Sequence, residues 1–304
     1  MADNRGAEPV PPVPPVPPRV QPPVPARLSF GGVAGDYDLG RPSYPPEAVA
    51  WLVGRTRADV LELGAGTGKL TEQLRALGHR VLATDPLEPM LRRLVHRFGD
   101  VPAAVAAAER IPMRARSVDT VVGAQAFHWF DRSRALPEIA RVLRPRGRLA
   151  LAWNLRDERV PWVRRLGELI GAAPGEDVDP THALLSSHLF GYVETATFRF
   201  WQPLDRPRLR ALVTSRSGVA TLAAHDREQL LARVDDLYDG YGRGADGMLL
   251  PYLTHCYRAV VRPPSAAADR DAARQRPGGP GGSGPGSADG PDEGDADSLL
   301  IDFR

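Results

Sequence analysis

The chain has 304 residues with a formal charge of +2; 42% of its residues are hydrophobic and 25% charged. One cysteine, Cys256, excludes a disulfide scaffold or a cysteine-based zinc site and suits a reducing, cytoplasmic setting. No apolar run approaches the roughly 20 residues of a membrane span, and the proline-rich N-terminus lacks the apolar core of a signal peptide.

Composition divides the chain. Residues 1–27 hold ten prolines, and residues 262–304 hold fourteen glycines or prolines. Neither flank has enough apolar side chain to offset its ordering entropy, so both are expected to be disordered tails. Residues 28–261 are left as one α/β domain. Its charge of +4 is weak for 234 residues, so nucleic acid is not an expected partner. Only Lys69 among the 39 basic residues is lysine, an arginine bias of genomic composition rather than of phosphate recognition.

The domain alternates short apolar runs with amphipathic stretches, which predicts a sheet with helices on both faces. A helix over 46–56 has Pro46 at an early position. Val60–Leu63 is a strand ended by Gly64-Ala65-Gly66-Thr67-Gly68, and the helix after it carries Leu70, Leu74 and Leu77 and stops at Gly78. Arg80–Thr84 is the second strand, closed by Asp85-Pro86. A helix over 89–98 leads to a weak third strand near 101–106. Val118–Val122 is the fourth strand. A helix over 134–143 and the turn Arg144-Pro145-Arg146-Gly147 precede the fifth, Arg148–Trp153. Five strand–helix–strand steps predict an open, doubly wound, parallel sheet with right-handed crossovers. Beyond it, 157–190 reads as helical and irregular, 195–201 as a strand with one wet face, 206–240 as helical, and 249–261 as a last strand.

Spacing discriminates among ligands for the first glycine loop. A dinucleotide fingerprint requires glycine where Lys69 stands. A Walker A loop using Lys69 places its first glycine on Leu63 and its hydroxyl residue on Leu70. What remains is Glu62-x-Gly64-x-Gly66-x-Gly68, with Asp85 following 17 residues later at the end of the second strand.

That arrangement resembles the class I S-adenosylmethionine-dependent methyltransferases. Three further stretches resemble their methyltransferase type 11 branch, which includes trans-aconitate-methyltransferase-like members. Ala107-Ala108-Glu109-Arg110-Ile111-Pro112 matches the segment that holds the adenine edge, with Ala107 where many members have Asp. Arg141 to Gly147 matches the turn into the fifth strand, with Arg146 replacing a usual glycine. Phe30 to Pro45 looks like the N-terminal cap. The resemblance covers most of 30–155 and implies a Rossmann-like, mostly parallel seven-stranded sheet with helical lid segments. It also implies S-adenosylmethionine as cofactor, with contacts from Glu62, Gly64, Ala65, Gly66, Gly68, Asp85, Pro86, Ala108, Glu109 and Gln125. A carboxylate at position 85 suits both ribose hydroxyls of an adenosine lying across the strand ends.

Gln125 to Phe130 directly follows the fourth strand, where the family places the sulfonium and the acceptor. Enzymes that methylate exocyclic amines of bases carry Asn/Asp-Pro-Pro-aromatic there, and this chain does not. Aromatic faces attract a sulfonium by roughly 0.5–2 kcal/mol; plain packing is the other reading of Phe127, Trp129 and Phe130. His128 is the candidate general base by position, beside the alternative that it orders its loop. Arg41 is a candidate carboxylate clamp. Tyr37, Tyr44 and Trp129 are candidate walls of the acceptor pocket, and Asn154 a hydrogen-bonding contact to substrate. No cluster has metal-ligand spacing, so no metal is expected. Residues 157–190 and 206–245, with the N-terminal cap, are expected to form a lid. The expected reaction is methyl transfer to a small molecule, first to oxygen of an organic acid or hydroxyl. A non-catalytic donor-binding regulator, an RNA methyltransferase and a nicotinamide dehydrogenase are the rivals.

Overall fold

The computed structural model describes residues 38–171, 179–241 and 248–263. Tyr37 and both expected tails, apart from residues 262–263, lie outside them. Five strands pair in parallel: β1 (Asp59–Leu63), β2 (Arg80–Asp85), β3 (Ala103–Val105), β4 (Val118–Ala124) and β5 (Leu143–Arg156). Two longer strands, β6 (Phe190–Leu204) and β7 (Met248–Val261), complete the order β3-β2-β1-β4-β5-β7-β6, with β7 antiparallel to both neighbours. This is the doubly wound, mostly parallel seven-stranded Rossmann-like sheet anticipated from sequence.

Every residue of β1 is buried, as a central strand covered on both faces must be. On one face α4 (Arg132–Val142) packs Leu136 and Ile139 against Leu61, Val121 and Leu149. Its first turn is capped by Asp131, whose carboxylate accepts from the Ser133 amide. On the other face α1 (Pro46–Val53) and α2 (Lys69–Ala76) set Val49, Leu52, Leu70 and Leu74 against Val60, Val81 and Val122. α3 (Glu88–Arg97) adds Leu91 and Leu94 over β2.

Two expectations change. The turn at 144–147 lies inside β5, where the register against β4 shifts between Val118 and Thr120. Arg146 there adopts φ +66°, a conformation that costs a residue with a Cβ about 1–2 kcal/mol and explains the glycine usual at this position. The lid is also smaller than expected. α5 (Pro161–Ile170), α7 (Arg206–Thr214), α8 (Ser217–Ala220) and α9 (Ala224–Gly240) share a separate apolar cluster, with Val163, Leu209 and Val234 against Leu204 and Leu250 at the ends of β6 and β7. α6 (Thr181–Ser186) does not join them, because Leu184 is buried in the main core beside Phe190. No helix among the described residues is long and apolar enough to cross a membrane.

Candidate active site

The register aligns Leu63 with both Thr84 and Gly123, so the segments following β1, β2 and β4 leave the sheet side by side. The glycine loop therefore begins between Asp85 and Gln125, in the crevice where open α/β sheets take ligands. Gly64 has φ +69°, and a Cβ on it would lie 2.7 Å from the Ala126 Cβ. Only glycine fits such a turn without strain.

Asp85 is buried and reaches straight into the loop. Its Oδ2 accepts from the Gly66 amide at 2.9 Å and its Oδ1 from the Leu87 amide at 2.8 Å. Burial pushes the Asp85 carboxyl above its usual range, and the two amides pull it back. Ala65 is tied to β2 through the Thr84 carbonyl at 3.0 Å. Glu62 lies behind the loop, 2% exposed, and accepts from Thr71 Oγ1 at 2.6 Å. Burial, with Asp85 adding to it, raises Glu62 to about 8. Pro86 is exposed beyond Asp85.

Val105 pairs with Asp85 at the end of β3 and is 59% exposed, leaving an apolar surface beside the carboxylate. Sequence reasoning missed Val105; its position at the end of a strand next to Asp85 was the available signal. A backbone-lined loop, a buried acid bonded to it and an apolar ledge beside the acid fit an adenosine-bearing donor. Ala107 is exposed and offers no polar side chain. Ala108 is buried, and Glu109 accepts from the Asp131 amide at 2.7 Å, which fixes the approach to α4.

The segment after β4 is tightly built. Gln125 has φ +53°, and its Nε2 donates to the Asn154 carbonyl at 2.9 Å. A 3-10 turn spans Phe127–Trp129. Phe127 is fully buried, edge-on to Phe130 and Trp153 at centroid distances of 5.8 and 6.4 Å, so it packs the core and does not face a ligand. His128 and Trp129 are half-buried with ring centroids 4.7 Å apart. Burial lowers His128 to about 4, and its Nδ1 is buried without a hydrogen-bond partner among the described residues.

Three expected substrate contacts also bond or pack within the protein. Arg41 donates to Ser215, through Nε to Oγ at 2.9 Å and through Nη2 to the carbonyl at 3.2 Å, which braces α7, and it also lies on the wall of the open cavity beside the strap. Tyr44 is buried in the cluster under α1 and α2. Asn154 is buried, with Nδ2 donating to the Ser43 carbonyl at 3.0 Å and Oδ1 accepting from Thr254 Oγ1 at 2.7 Å. These bonds hold a strap, residues 38–43, across the glycine loop. Thr67 Oγ1 donates to Asp38 Oδ1 at 3.3 Å, Lys69 Nζ to the Asp38 carbonyl at 2.5 Å, and Gln202 Nε2 to the Gly40 carbonyl at 2.8 Å. Gly40 lies so close to α7 that a Cβ would strike the backbone of Ala211 and Leu212. The strap and the end of β6 border an open cavity of about 560 Å³, whose lining includes Lys69, Arg97, Arg208, Asp38, Phe200 and Trp201.

Comparison with known proteins agrees with this geometry. The methyltransferase-domain family matches residues 61–151, from β1 into β5. An uncharacterized methyltransferase of Mycobacterium tuberculosis is 45% identical over 237 residues, covering 77% of this chain and 96% of its own length. A malonyl-[acyl-carrier protein] O-methyltransferase of Methylococcus capsulatus is 38% identical over 151 residues, 44% of this chain and 54% of that protein. A solved structure from Anaeromyxobacter dehalogenans, assigned as a type II methyltransferase, superposes with a TM-score of 0.54 at 28% identity, covering 73% of this chain and 97% of its own. With the fold, the glycine loop and these relatives in agreement, the chain belongs to the class I S-adenosylmethionine-dependent methyltransferases, enzymes that use S-adenosylmethionine as methyl donor.

Proposed function

We propose that the chain methylates a carboxylate oxygen of a small organic acid, as a cytoplasmic enzyme akin to the trans-aconitate-methyltransferase-like members, with a hydroxyl as the second choice of acceptor. The donor lies in the crevice, with its ribose on Asp85, its adenine on Val105 and Ala106, and its amino-acid end along Gly64–Gly66 with Glu62 behind. Bound there, S-adenosylmethionine supplies a methyl group on a sulfonium, an excellent leaving group. The protein's share of the work is then alignment and exclusion of water, which in favourable systems supplies up to about 7–11 kcal/mol.

The observation that carries the acceptor reading is the state of His128. Its burial holds it neutral far below physiological pH, and a base that weak is poorly matched to proton abstraction near pH 7. A carboxylate acceptor is already ionised and needs no base, so no proton transfer is required of His128. The cavity beside the strap supports the same class, since Arg41, Lys69, Arg97 and Arg208 outnumber Asp38 on its walls and Phe200 and Trp201 offer apolar faces. The O-methyltransferase relative supports transfer to oxygen.

The test is a screen of organic acids, hydroxyl compounds and amines with methyl-labelled donor, followed by His128→Ala on the best acceptor. Labelling of acids, with turnover of His128→Ala within about threefold of wild type, is expected. Labelling confined to hydroxyl compounds, with a loss of about a hundredfold in the variant, would return His128 to the role of general base.

A further inference from the structure

Asn154 joins parts of the crevice that are far apart in sequence. Its side chain is buried, and its amide is used once at each end, Nδ2 toward the Ser43 carbonyl and Oδ1 from Thr254. Its backbone carbonyl accepts from Gln125, whose own amide donates to the Ala152 carbonyl at 2.9 Å. On the other side, Ser43 Oγ accepts from Gln73 Nε2 at 3.1 Å and donates to the Lys69 carbonyl at 3.4 Å. At the far end of the strap, Asp38 accepts from Thr67 in the glycine loop and pairs with Lys69 and Arg97, each at 3.5 Å.

We propose that Asn154 is a positioning residue: its amide fixes the strap 38–43 against the glycine loop and so sets how long the methyl donor is retained. This rests on the donor site assigned above. An amide suits the position because it offers a donor and an acceptor at opposite corners of one planar group. A carboxylate there keeps the acceptor for Thr254 but turns an oxygen toward the Ser43 carbonyl. The strap then loses its hold on β5 while the sheet beneath is unchanged. Asp38 acts at the other end of the same strap, on a side chain 39% exposed, so its alteration does not disturb a core.

The experiment follows S-adenosylhomocysteine binding to the full chain by calorimetry, its dissociation by stopped flow, and unfolding by heat. Asn154→Asp and Asp38→Ala, which removes the acceptor for Thr67 and the ion pairs with Lys69 and Arg97, are each expected to weaken binding by about tenfold, mainly through faster dissociation. Thr254→Val removes a bond to the same amide without touching the strap; it is expected to lower Tm while leaving dissociation within about threefold of wild type. The half-exposed Asp38 variant keeps the proposal open to refutation should the Asn154 variant not fold. Wild-type dissociation in Asp38→Ala, or equal acceleration in Thr254→Val and Asn154→Asp, overturns it. Failure of the wild-type chain to bind S-adenosylhomocysteine overturns the donor site instead.

Discussion

The buried Glu62 makes stability fall as pH rises, which is the reverse of the usual carboxylate. In the unfolded chain this side chain ionises at its ordinary value of 4.5, whereas in the fold burial holds its proton up to about 8. Between those values the native state binds a proton that the unfolded state has released. Its contribution to stability is therefore complete below 4.5 and lost as pH climbs through 8, by about 1.4 kcal/mol per unit. His128 and His79, both lowered by burial, work in the opposite sense below their ordinary value of 6.5. The clean interval is thus pH 6.5 to 8, where the loss amounts to about 2 kcal/mol. Glu62→Gln keeps an oxygen for Thr71 Oγ1 and carries no titrating proton, so its stability is expected to stay level across the interval. Urea unfolding followed by circular dichroism at several pH values measures both slopes, with a constant m value as the check on two-state behaviour. A cationic donor on the loop favours the ionised carboxyl, so donor affinity of the wild type is expected to climb over the same interval. The same downward stability slope in the Gln variant would show that the proton belongs to another group.

Three further outcomes are expected. Asp85→Ala removes the acceptor for the Gly66 and Leu87 amides and the charged partner of the ribose. Calorimetry with S-adenosylhomocysteine should therefore show affinity lower by an order of magnitude or more, and unchanged affinity would remove Asp85 from the site. Gly64→Ala places a methyl 2.7 Å from the Ala126 Cβ at a left-handed φ. A cost of about 2 kcal/mol, seen as a Tm lower by about 4–8 °C, should follow; a Tm within about 1 °C of wild type would show that the loop relaxes freely. Arg146→Gly relieves φ +66° on an exposed bulge and should raise Tm by about 2–4 °C, whereas a lower Tm would mean that the arginine side chain outweighs the backbone strain.

The donor half of the fold was legible because its signals are local. Each strand from β1 to β4 is a short run followed by turn residues, and Asp85 lies only 19 residues from the Gly66 amide that it accepts from. The boundaries erred where backbone geometry outweighed composition, as at the turn absorbed into β5 around Arg146. α6 was grouped with the lid because its sequence is short and irregular. Its one decisive residue, Leu184, is buried against strands that the local pattern does not name.

The acceptor half is less legible in sequence, and the cause is visible in its bonds. The Arg41 to Ser215 bond spans 174 positions, Gln202 to Gly40 spans 162, and Asn154 to Ser43 spans 111. A polar side chain at the mouth of a crevice can meet a ligand or meet the protein, and its sequence neighbourhood is the same in both cases. Here Asn154 meets the protein, because a strap that carries buried backbone carbonyls must find donors for them, and Arg41 ties the strap to Ser215 at the end of α7. The cavity is lined both by residues of the cap and glycine-loop motifs, such as Arg41 and Lys69, and by residues that no local motif marks, such as Trp201 on β6 and Arg208 on α7. Acceptor choice in this enzyme is therefore expected to change with substitutions in β6 and α7 that leave the glycine loop and Asp85 untouched. Trp201→Ala tests this directly: altered acceptor preference at unchanged donor affinity supports the division, and an equal loss of both would place Trp201 in a structural role.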